Sequence, residues 1–318
     1  MQTPQPQKAV ALGRHLLDVD SLGAEGIDRV LEEALSEALR ATSLRGKTVV
    51  NFFYEASTRT RLSFEIAAKR LGADVINVSS GESSVTKGES LVDTARTLEA
   101  LGADAVVLRH PEPGAAYLMA RYFKGSVLNA GDGRHAHPTQ ALLDLLTLRQ
   151  SFGDLRGLRV AIVGDIEHSR VARSTTVGLL LCGADVRLCG PRTLLPPRGW
   201  LETFPRSDRG GRVTQTASMG DALRDAHAVM ALRMQGERQA RSLLPDPKEF
   251  VRLYGLTRER LKELAPDALV MHPGPANEGV EIAPGLMDAP NSLISMQVTN
   301  GVLVRMAVLR LLLGGNGE

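Results

Sequence analysis

A run of hydroxyl and cationic side chains lies where a predicted strand turns into a helix: Ser57-Thr58-Arg59-Thr60-Arg61. The unpaired amides at a helix N-terminus and the positive end of its dipole attract anions, and a guanidinium fork matches phosphate oxygens. A cation in the first turn of a helix is unfavourable unless an anion lies there. The alternative, an ordinary capped helix with a solvated basic turn, does not account for the arginines. The segment therefore predicts a phosphate site.

Other charged side chains follow predicted strands. Arg109 ends one strand, Arg233 ends another, and Arg170 begins the helix after a third. Ligand groups in open α/β sheets lie at the carboxyl ends of the strands. Arginine binds carboxylates through two parallel hydrogen bonds, so Arg170 and Arg233 are candidates for a dicarboxylate. Each of these arginines alone is more often a surface charge.

Strands and helices alternate along the whole chain, which predicts parallel sheets covered by helices on both faces. The fold class expected is α/β, with two doubly wound parallel-sheet domains that meet near 140–155. The Arg- and Pro-rich segment 190–211 is expected to be an irregular excursion. Predicted strands are 48–53, 74–78, 105–109, 126–129, 159–164, 185–188, 228–232 and 268–271, and predicted helices are 27–40, 57–72, 89–101, 113–123, one from Pro138, 170–181 and 299–313.

Composition limits the class of protein. The 318 residues contain 38 basic and 36 acidic side chains, 43% hydrophobic residues and only 4% aromatic residues, typical of a globular protein and not of a nucleic-acid binder. Of the basic residues, 31 are Arg and 7 are Lys. Cys182 and Cys189 are too few for a disulfide framework. No apolar stretch of about 18 residues was found, and the N-terminus lacks signal-peptide features, so we expect a soluble, cytoplasmic protein without a membrane segment.

Four familiar sites are excluded or weakly supported. Gly46-Lys47-Thr48 lacks the first glycine of a phosphate loop, and Val163-Gly164-Asp165 has one of the three glycines of a dinucleotide site. His135-Ala136-His137 has no placed third ligand for a metal. There is no Gly-x-Ser-x-Gly segment of a serine hydrolase. We therefore expect neither a metal nor a cofactor.

Several ordered motifs resemble those of the aspartate/ornithine carbamoyltransferase family, over nearly the whole chain. Beyond Ser57–Arg61, they are Leu108-Arg109-His110-Pro111 and His137-Pro138-Thr139-Gln140-Ala141-Leu142-Leu143-Asp144. Segments 83–89 and 231–238 resemble loops of the aspartate-specific members. Where ornithine-specific members have His-Cys-Leu-Pro, this chain has His272-Pro273-Gly274-Pro275. The resemblance implies carbamoyl transfer from carbamoyl phosphate to L-aspartate, giving N-carbamoyl-L-aspartate and phosphate for pyrimidine biosynthesis.

The resemblance also implies a role for each site residue. Phosphate would be bound by Ser57, Thr58, Arg59, Thr60 and Arg109. The carbonyl oxygen would be polarised by Thr60, Arg109 and His137, and the carbamoyl amide would meet Gln140 and the main-chain carbonyls of Pro273 and Gly274. The aspartate carboxylates would meet Arg170, Arg233, Gln235 and Lys87. Glu55 would hold the domains together by pairing with arginines such as Arg233.

The resemblance also implies how the subunits assemble and where the domains divide. Ser83 and Lys87 would enter the active site of a neighbouring subunit, which requires an oligomer, and the family unit is a homotrimer. A carbamoyl-phosphate domain would comprise 1–145 with the C-terminal helix 292–318, and an aspartate domain 146–291. Assembly with regulatory chains or another pyrimidine-pathway enzyme stays open. So do two other functions: carbamoylation of a different amine such as ornithine, and a non-catalytic scaffold or regulatory subunit.

Overall fold

Two parallel β-sheets form the frame of the fold, in a computed structural model that describes residues 12–40, 43–79, 89–234 and 246–314. The first sheet has the order β2-β1-β3-β4 and the second β7-β6-β5-β8-β9. The strands are β1 Thr48–Phe53, β2 Asp74–Ser79, β3 Ala105–His110, β4 Ser126–Asp132, β5 Arg159–Val163, β6 Asp185–Cys189, β7 Arg212–Thr216, β8 Ala228–Ala231 and β9 Leu269–Met271.

Helices cover both sheets. In the described residues they are α1 Gly23–Leu35, α2 Thr58–Arg70, α3 Leu91–Ala100, α4 Ala115–Tyr122, α5 Pro138–Phe152, α6 Arg170–Leu181, α7 Arg198–Leu201, α8 Met219–Leu223, α9 Pro247–Tyr254, α10 Arg258–Leu264 and α11 Ile294–Leu313. The predicted fold class is confirmed: two parallel-sheet α/β units with helices packed on them.

The central strands are buried runs of apolar residues, as expected for parallel strands covered on both faces. β1 is buried at five of its six positions, and Phe53 at its end is paired with Arg109 of β3. In the second sheet, Val163 of β5 is paired with Ala231 of β8. Because all these strands are parallel, the segments that follow them emerge at the same edge of each sheet, and the candidate side chains lie there.

The C-terminal helix α11 packs against α1, α2 and α5 of the first unit. It begins at Ile294, five residues before the predicted start, and Val304, Ala307 and Val308 are fully buried in the core. The expectation that no apolar segment reaches membrane-spanning length was wrong, since this helix is long and apolar enough by composition alone. Half of that stretch is buried inside the protein, where it contributes to the core between helices.

Several boundaries differ from the predicted ones. α1 ends at Leu35 because Ser36 is extended, and a 3-10 helix Glu37–Arg40 follows. Strand β7 was not predicted, since its sequence alternates polar and β-branched residues and the strand lies at an edge, paired with β6 alone. The 190–211 excursion contains a 3-10 helix Arg192–Leu194 and the one-turn helix α7.

Candidate active site

The N-terminus of α2 is built to receive an anion. Ser57 is the extended N-cap residue, its side chain makes no capping hydrogen bond, and the first turn holds no acidic residue. Thr60 is buried, whereas Thr58 and Arg59 are exposed. The first-turn amides, which lack helical partners, and the hydroxyl groups beside them can therefore bind a phosphate together with the guanidinium of Arg59.

Arg109 lies one strand away, beside the end of β1. Its Nη1 donates a hydrogen bond to the carbonyl oxygen of Ala130 at 3.2 Å, and its Nε lies 3.5 Å from Oε2 of Glu55. The side chain is 13% exposed, and these contacts fix the direction in which it points. A permanently charged group fixed in this way can bind an anion without a large ordering cost.

Arg170 reaches across from the second unit to the first. Its Nη2 donates to Oε2 of Glu55 at 2.9 Å, and its Nη1 donates to the carbonyl oxygen of Gly133 at 3.0 Å. Gly131 has a φ of +115°, and a Cβ there would lie 2.8 Å from the Arg170 guanidinium carbon. Glycine therefore lets the backbone approach the arginine closely. Glu55 therefore joins the two units through Arg170.

His137 is the N-cap residue of α5, and only 4% of it is exposed. Its backbone N–H donates to Oγ of Ser174 on α6 at 2.9 Å, which ties the start of α5 to the second unit. Among the described residues, Nδ1 of His137 has no hydrogen-bond partner. Burial lowers the pKa of His137 well below its usual value, with further lowering by Arg170, Arg109 and Arg305. The lowered pKa favours the neutral imidazole, which can donate one N–H to a substrate carbonyl.

Gln140 lies one turn further along α5 and is held from behind by Asp144. Nε2 of Gln140 donates to Oδ1 of Asp144 at 3.0 Å. The same carboxylate accepts from Nε2 of Gln297 at 2.7 Å and from Oγ1 of Thr175 at 2.9 Å. Burial raises the pKa of Asp144 to about 7, against the three hydrogen bonds and the charge of Arg305, which lower it.

The segment after β9 meets the phosphate motif. Gly274 has a φ of +65°, and a Cβ there would clash with Nη1 of Arg59. The Gly274 N–H donates to Nδ1 of His272 at 2.8 Å, and the bond to Pro275 is cis. Nε2 of His272 lies 3.2 Å from Oε1 of the buried Glu281. The backbone at Gly274 therefore lies against the guanidinium group of Arg59.

The remaining candidates are less fully defined. Arg233 follows β8, which is paired with β5, so the chain leading to Arg233 leaves the sheet beside the chain leading to Arg170. It is half-buried. Ser83, Lys87 and Gln235 lie outside the described residues. Among the residues that the structure describes, no group of three or more His, Cys, Asp or Glu side chains is suited to a metal ion.

Three residues at this site were given no role from the sequence: Asp144, which was quoted only as the end of a motif, Ser174 and Gln297. A signal for the first was available, because Gln140, Asp144 and Thr147 recur at helical spacing and form a polar stripe among the buried residues of α5. Ser174 and Gln297 touch the site through contacts distant in sequence, which local patterns do not report.

The fold is that of an α/β protein with two parallel-sheet units, and it brings cationic side chains from both units together at Glu55. Family models of the aspartate/ornithine carbamoyltransferases match residues 14–150, as the carbamoyl-P binding domain, and 156–312, as the Asp/Orn binding domain. The chain therefore belongs to the aspartate/ornithine carbamoyltransferase family.

Individual proteins agree with the family models. The aspartate carbamoyltransferase catalytic subunit of Roseiflexus castenholzii is 54% identical over 309 residues, 95% of each chain. The structure of ornithine carbamoyltransferase from Pyrococcus furiosus is 29% identical, with a TM-score of 0.88 and coverage of 97% of this chain and 100% of that one. Aspartate transcarbamoylase from Trypanosoma cruzi in complex with carbamoyl phosphate is 28% identical, with a TM-score of 0.85 over 97% of this chain and 99% of that one.

Proposed function

We propose that this chain is an aspartate carbamoyltransferase, which transfers the carbamoyl group of carbamoyl phosphate to the amine of L-aspartate. The products are N-carbamoyl-L-aspartate and phosphate, and the reaction serves pyrimidine biosynthesis. Curated relatives that are 54–55% identical over almost the full length are named aspartate carbamoyltransferase catalytic subunits. Their names support aspartate as the second substrate.

Carbamoyl phosphate would bind first, on the first domain. Ser57, Thr58, Arg59 and Thr60 would surround the phosphate at the N-terminus of α2, and Arg109 would complete its coordination. The carbonyl oxygen would lie against Thr60, Arg109 and His137. Donors fixed before the reaction stabilise the negative charge that develops on that oxygen when an amine attacks the carbon. The neutral state of His137 suits this role, because it donates an N–H without adding a competing charge.

The carbamoyl nitrogen carries two N–H donors and needs acceptors. We assign these to Oε1 of Gln140 and to the main-chain carbonyls of Pro273 and Gly274. Nε2 of Gln140 is already engaged by Asp144, so the amide oxygen is the end that is left to accept.

Aspartate would bind on the second domain. Its two carboxylates call for guanidinium groups, and we assign Arg170 and Arg233, with Gln235 and the loop residue Lys87. Closure of the domains would bring the amine onto the carbonyl carbon. The phosphate leaves, taking the bonding electrons and accepting the proton from the amine. Positioning and electrostatic stabilisation supply the catalysis.

The fold does not separate aspartate from ornithine, because it is shared with an ornithine-specific enzyme. The residues do separate them. Ornithine is carbamoylated at its side-chain amine, so its α-ammonium group would lie among the groups that bind the second substrate, where two arginines would repel it. Segment 272–275 also has no cysteine. The two cationic side chains, Arg170 and Arg233, therefore favour aspartate as the substrate that is carbamoylated.

We also infer a homotrimer in the cytoplasm, with Ser83 and Lys87 of one subunit completing the site of the next. Neither segment 80–88 nor a neighbouring subunit is described in the structure, so the resemblance to the family is the support. Regulatory chains or a second pathway enzyme would be additions to this trimer. No metal or cofactor has a role in the proposed reaction.

The observation that carries the proposal is the pairing of Arg109 and Arg170, one from each domain, with the same oxygen of Glu55. It places two cations at one cleft, as two anionic substrates require. Calorimetry tests the first step, since the purified protein should bind carbamoyl phosphate without added metal. A protein that did not bind it would instead fit the non-catalytic scaffold.

A further inference from the structure

A chain of buried polar groups runs from the backbone of segment 272–275 to the candidate carbamoyl site. We call it the amide chain, and its members are His272, Gln297, Asp144 and Gln140. The His272 N–H donates to Oε1 of Gln297 at 3.0 Å. Nε2 of Gln297 donates to Oδ1 of Asp144, and so does Nε2 of Gln140. All four residues are at least nine-tenths buried.

The hydrogen bond from the His272 N–H determines which groups donate and which accept along the whole amide chain. A peptide N–H is always a donor, so the group of Gln297 that faces His272 must be the amide oxygen. The NH₂ group of Gln297 then faces Asp144, and Oδ1 of Asp144 must be an acceptor. A second amide that approaches the same Oδ1 must also present its NH₂ group. Gln140 is therefore oriented by a backbone group more than a hundred residues away in sequence.

Protonation of Asp144 does not reverse this order. Burial raises the pKa of Asp144 to about 7, so both forms of the side chain are populated near neutrality. Because Oδ1 accepts from two amides, the proton belongs on Oδ2, which faces the hydroxyl group of Thr175. A hydroxyl group can either donate or accept, so this contact is preserved in both forms.

We propose that Asp144 is a positioning residue that, oriented through Gln297, fixes the side-chain amide of Gln140 so that its oxygen is offered to the substrate. Within the described part of the chain, Oε1 of Gln140 accepts no hydrogen bond. Oε1 of Gln140 can accept a hydrogen bond from the NH₂ group of a carbamoyl group but not from the methyl group of an acetyl group. The site should therefore prefer a carbamoyl group to an acetyl group of the same shape. The inference rests on the proposed function, because it concerns the same carbamoyl site.

Two stable ligands that differ only in one group can test the contact between Oε1 of Gln140 and the NH₂ group of the ligand. Phosphonoacetamide carries an NH₂ group where acetonylphosphonate carries a methyl group, and the phosphonate and carbonyl groups are common to both. The ratio of their affinities, measured by calorimetry, reports recognition of the N–H. General damage to the site weakens both ligands and leaves the ratio unchanged, so a merely structural role for Asp144 would not alter it.

Four variants of the full-length protein complete the test. Asp144→Ala removes the acceptor, and Gln297→Leu removes the link that orients it. In both, the preference for the amide should fall by roughly 5- to 10-fold, the worth of one neutral hydrogen bond. Asp144→Asn should keep the preference, because its Oδ1 can accept from both amides while its NH₂ group donates to Thr175. Asn300→Leu is the matched control: Asn300 also joins α11 to α5, through Thr147 and Gln150, one turn beyond the amide chain.

The outcomes separate the inference from the proposed function. A wild-type protein that binds neither phosphonate would overturn both. A wild-type protein that binds both ligands without preferring the amide would overturn the inference alone. So would a folded Asp144→Ala or Gln297→Leu variant that keeps the wild-type preference, or an Asp144→Asn variant that loses as much of it as Asp144→Ala. Should Asp144→Ala fail to fold, the comparison of Gln297→Leu with Asn300→Leu decides the matter.

Discussion

Oε2 of Glu55 in the first domain accepts a hydrogen bond from Nη2 of Arg170 in the second, at 2.9 Å. The same oxygen lies 3.5 Å from Nε of Arg109. One carboxylate therefore sets the relative position of two cations that we assign to different substrates. The arrangement joins the domains and keeps two like charges from repelling each other before the anionic substrates arrive.

Replacement of Glu55 should weaken this arrangement. Glu55→Gln removes the negative charge and leaves two largely buried arginines without its compensation, so we expect the KM for aspartate to rise about tenfold and kcat to fall. Steady-state kinetics with each substrate varied in turn would measure both effects. Glu167→Gln is a control with the same charge change, because Glu167 pairs with Arg134 at 3.5 Å on the surface. Equal effects of the two substitutions would contradict the role given to Glu55.

His137 should remain neutral across the physiological range. Burial, followed by Arg170, Arg109 and Arg305, lowers its pKa, whereas the hydrogen bond to Asp132 raises that of His135, two residues earlier. Histidine-ring NMR should therefore show His135 gaining its proton above pH 6.5 and His137 staying unprotonated at pH 6. A His137 resonance that titrates near pH 7 would show that the buried, cation-facing environment has been assigned wrongly.

The catalytic role of His137 is tested separately. His137→Ala removes one donor from the carbonyl oxygen, and we expect kcat to fall by about 10²- to 10³-fold with a smaller change in KM. Stopped-time assays of carbamoyl transfer give the rate, and circular dichroism checks that the variant is folded. Near-full turnover in this variant would remove His137 from the mechanism.

Much of this site could be predicted from the sequence, because its parts are local. Ser57–Thr60 and His137 follow strands of recognisable pattern and Arg109 lies near the end of one, and such positions converge in a parallel sheet. The residues that hold these side chains in place could not be predicted from the sequence. Arg170 and Glu55 are 115 residues apart, and Gln297 and Asp144 are 153 apart, so only the folded structure brings them together. Edge strand β7 was missed because a half-exposed strand has little apolar signal.

The buried Asp144 should make stability depend on pH. In the unfolded chain its pKa is near 3.8, and in the folded protein it is raised to about 7. Between those values the folded state holds a proton that the unfolded state has lost, so this contribution is present at low pH and is lost as the pH rises through 7. Asp144→Asn removes it.

Denaturant unfolding of the wild type and Asp144→Asn at pH 5 and pH 8 measures this effect. The variant should gain stability relative to the wild type on going from pH 5 to pH 8, by about 3 kcal/mol, because two pH units separate pH 5 from the folded pKa of about 7. His137 acts with the opposite sign, because its lowered pKa costs stability in acid, but it is present in both proteins and cancels from the difference. A difference that does not change with pH would contradict the raised pKa of Asp144.

Shared active sites make a further prediction. Lys87→Ala and His137→Ala should each be nearly inactive, since each removes one part of every site. When the two variants are mixed, unfolded and refolded together, some sites combine an intact His137 from one subunit with an intact Lys87 from the next. Random trimers should regain about a quarter of wild-type activity. Hybrids that remain inactive would place Lys87 and His137 of a site in the same subunit.

The central claim, that the chain carbamoylates aspartate, is tested most directly by the product formed. The purified protein is given carbamoyl phosphate with either L-aspartate or L-ornithine, and carbamoyl-aspartate and citrulline are quantified. We expect carbamoyl-aspartate, with kcat/KM for aspartate exceeding that for ornithine by at least roughly 100-fold. Citrulline as the main product, or neither product, would contradict it.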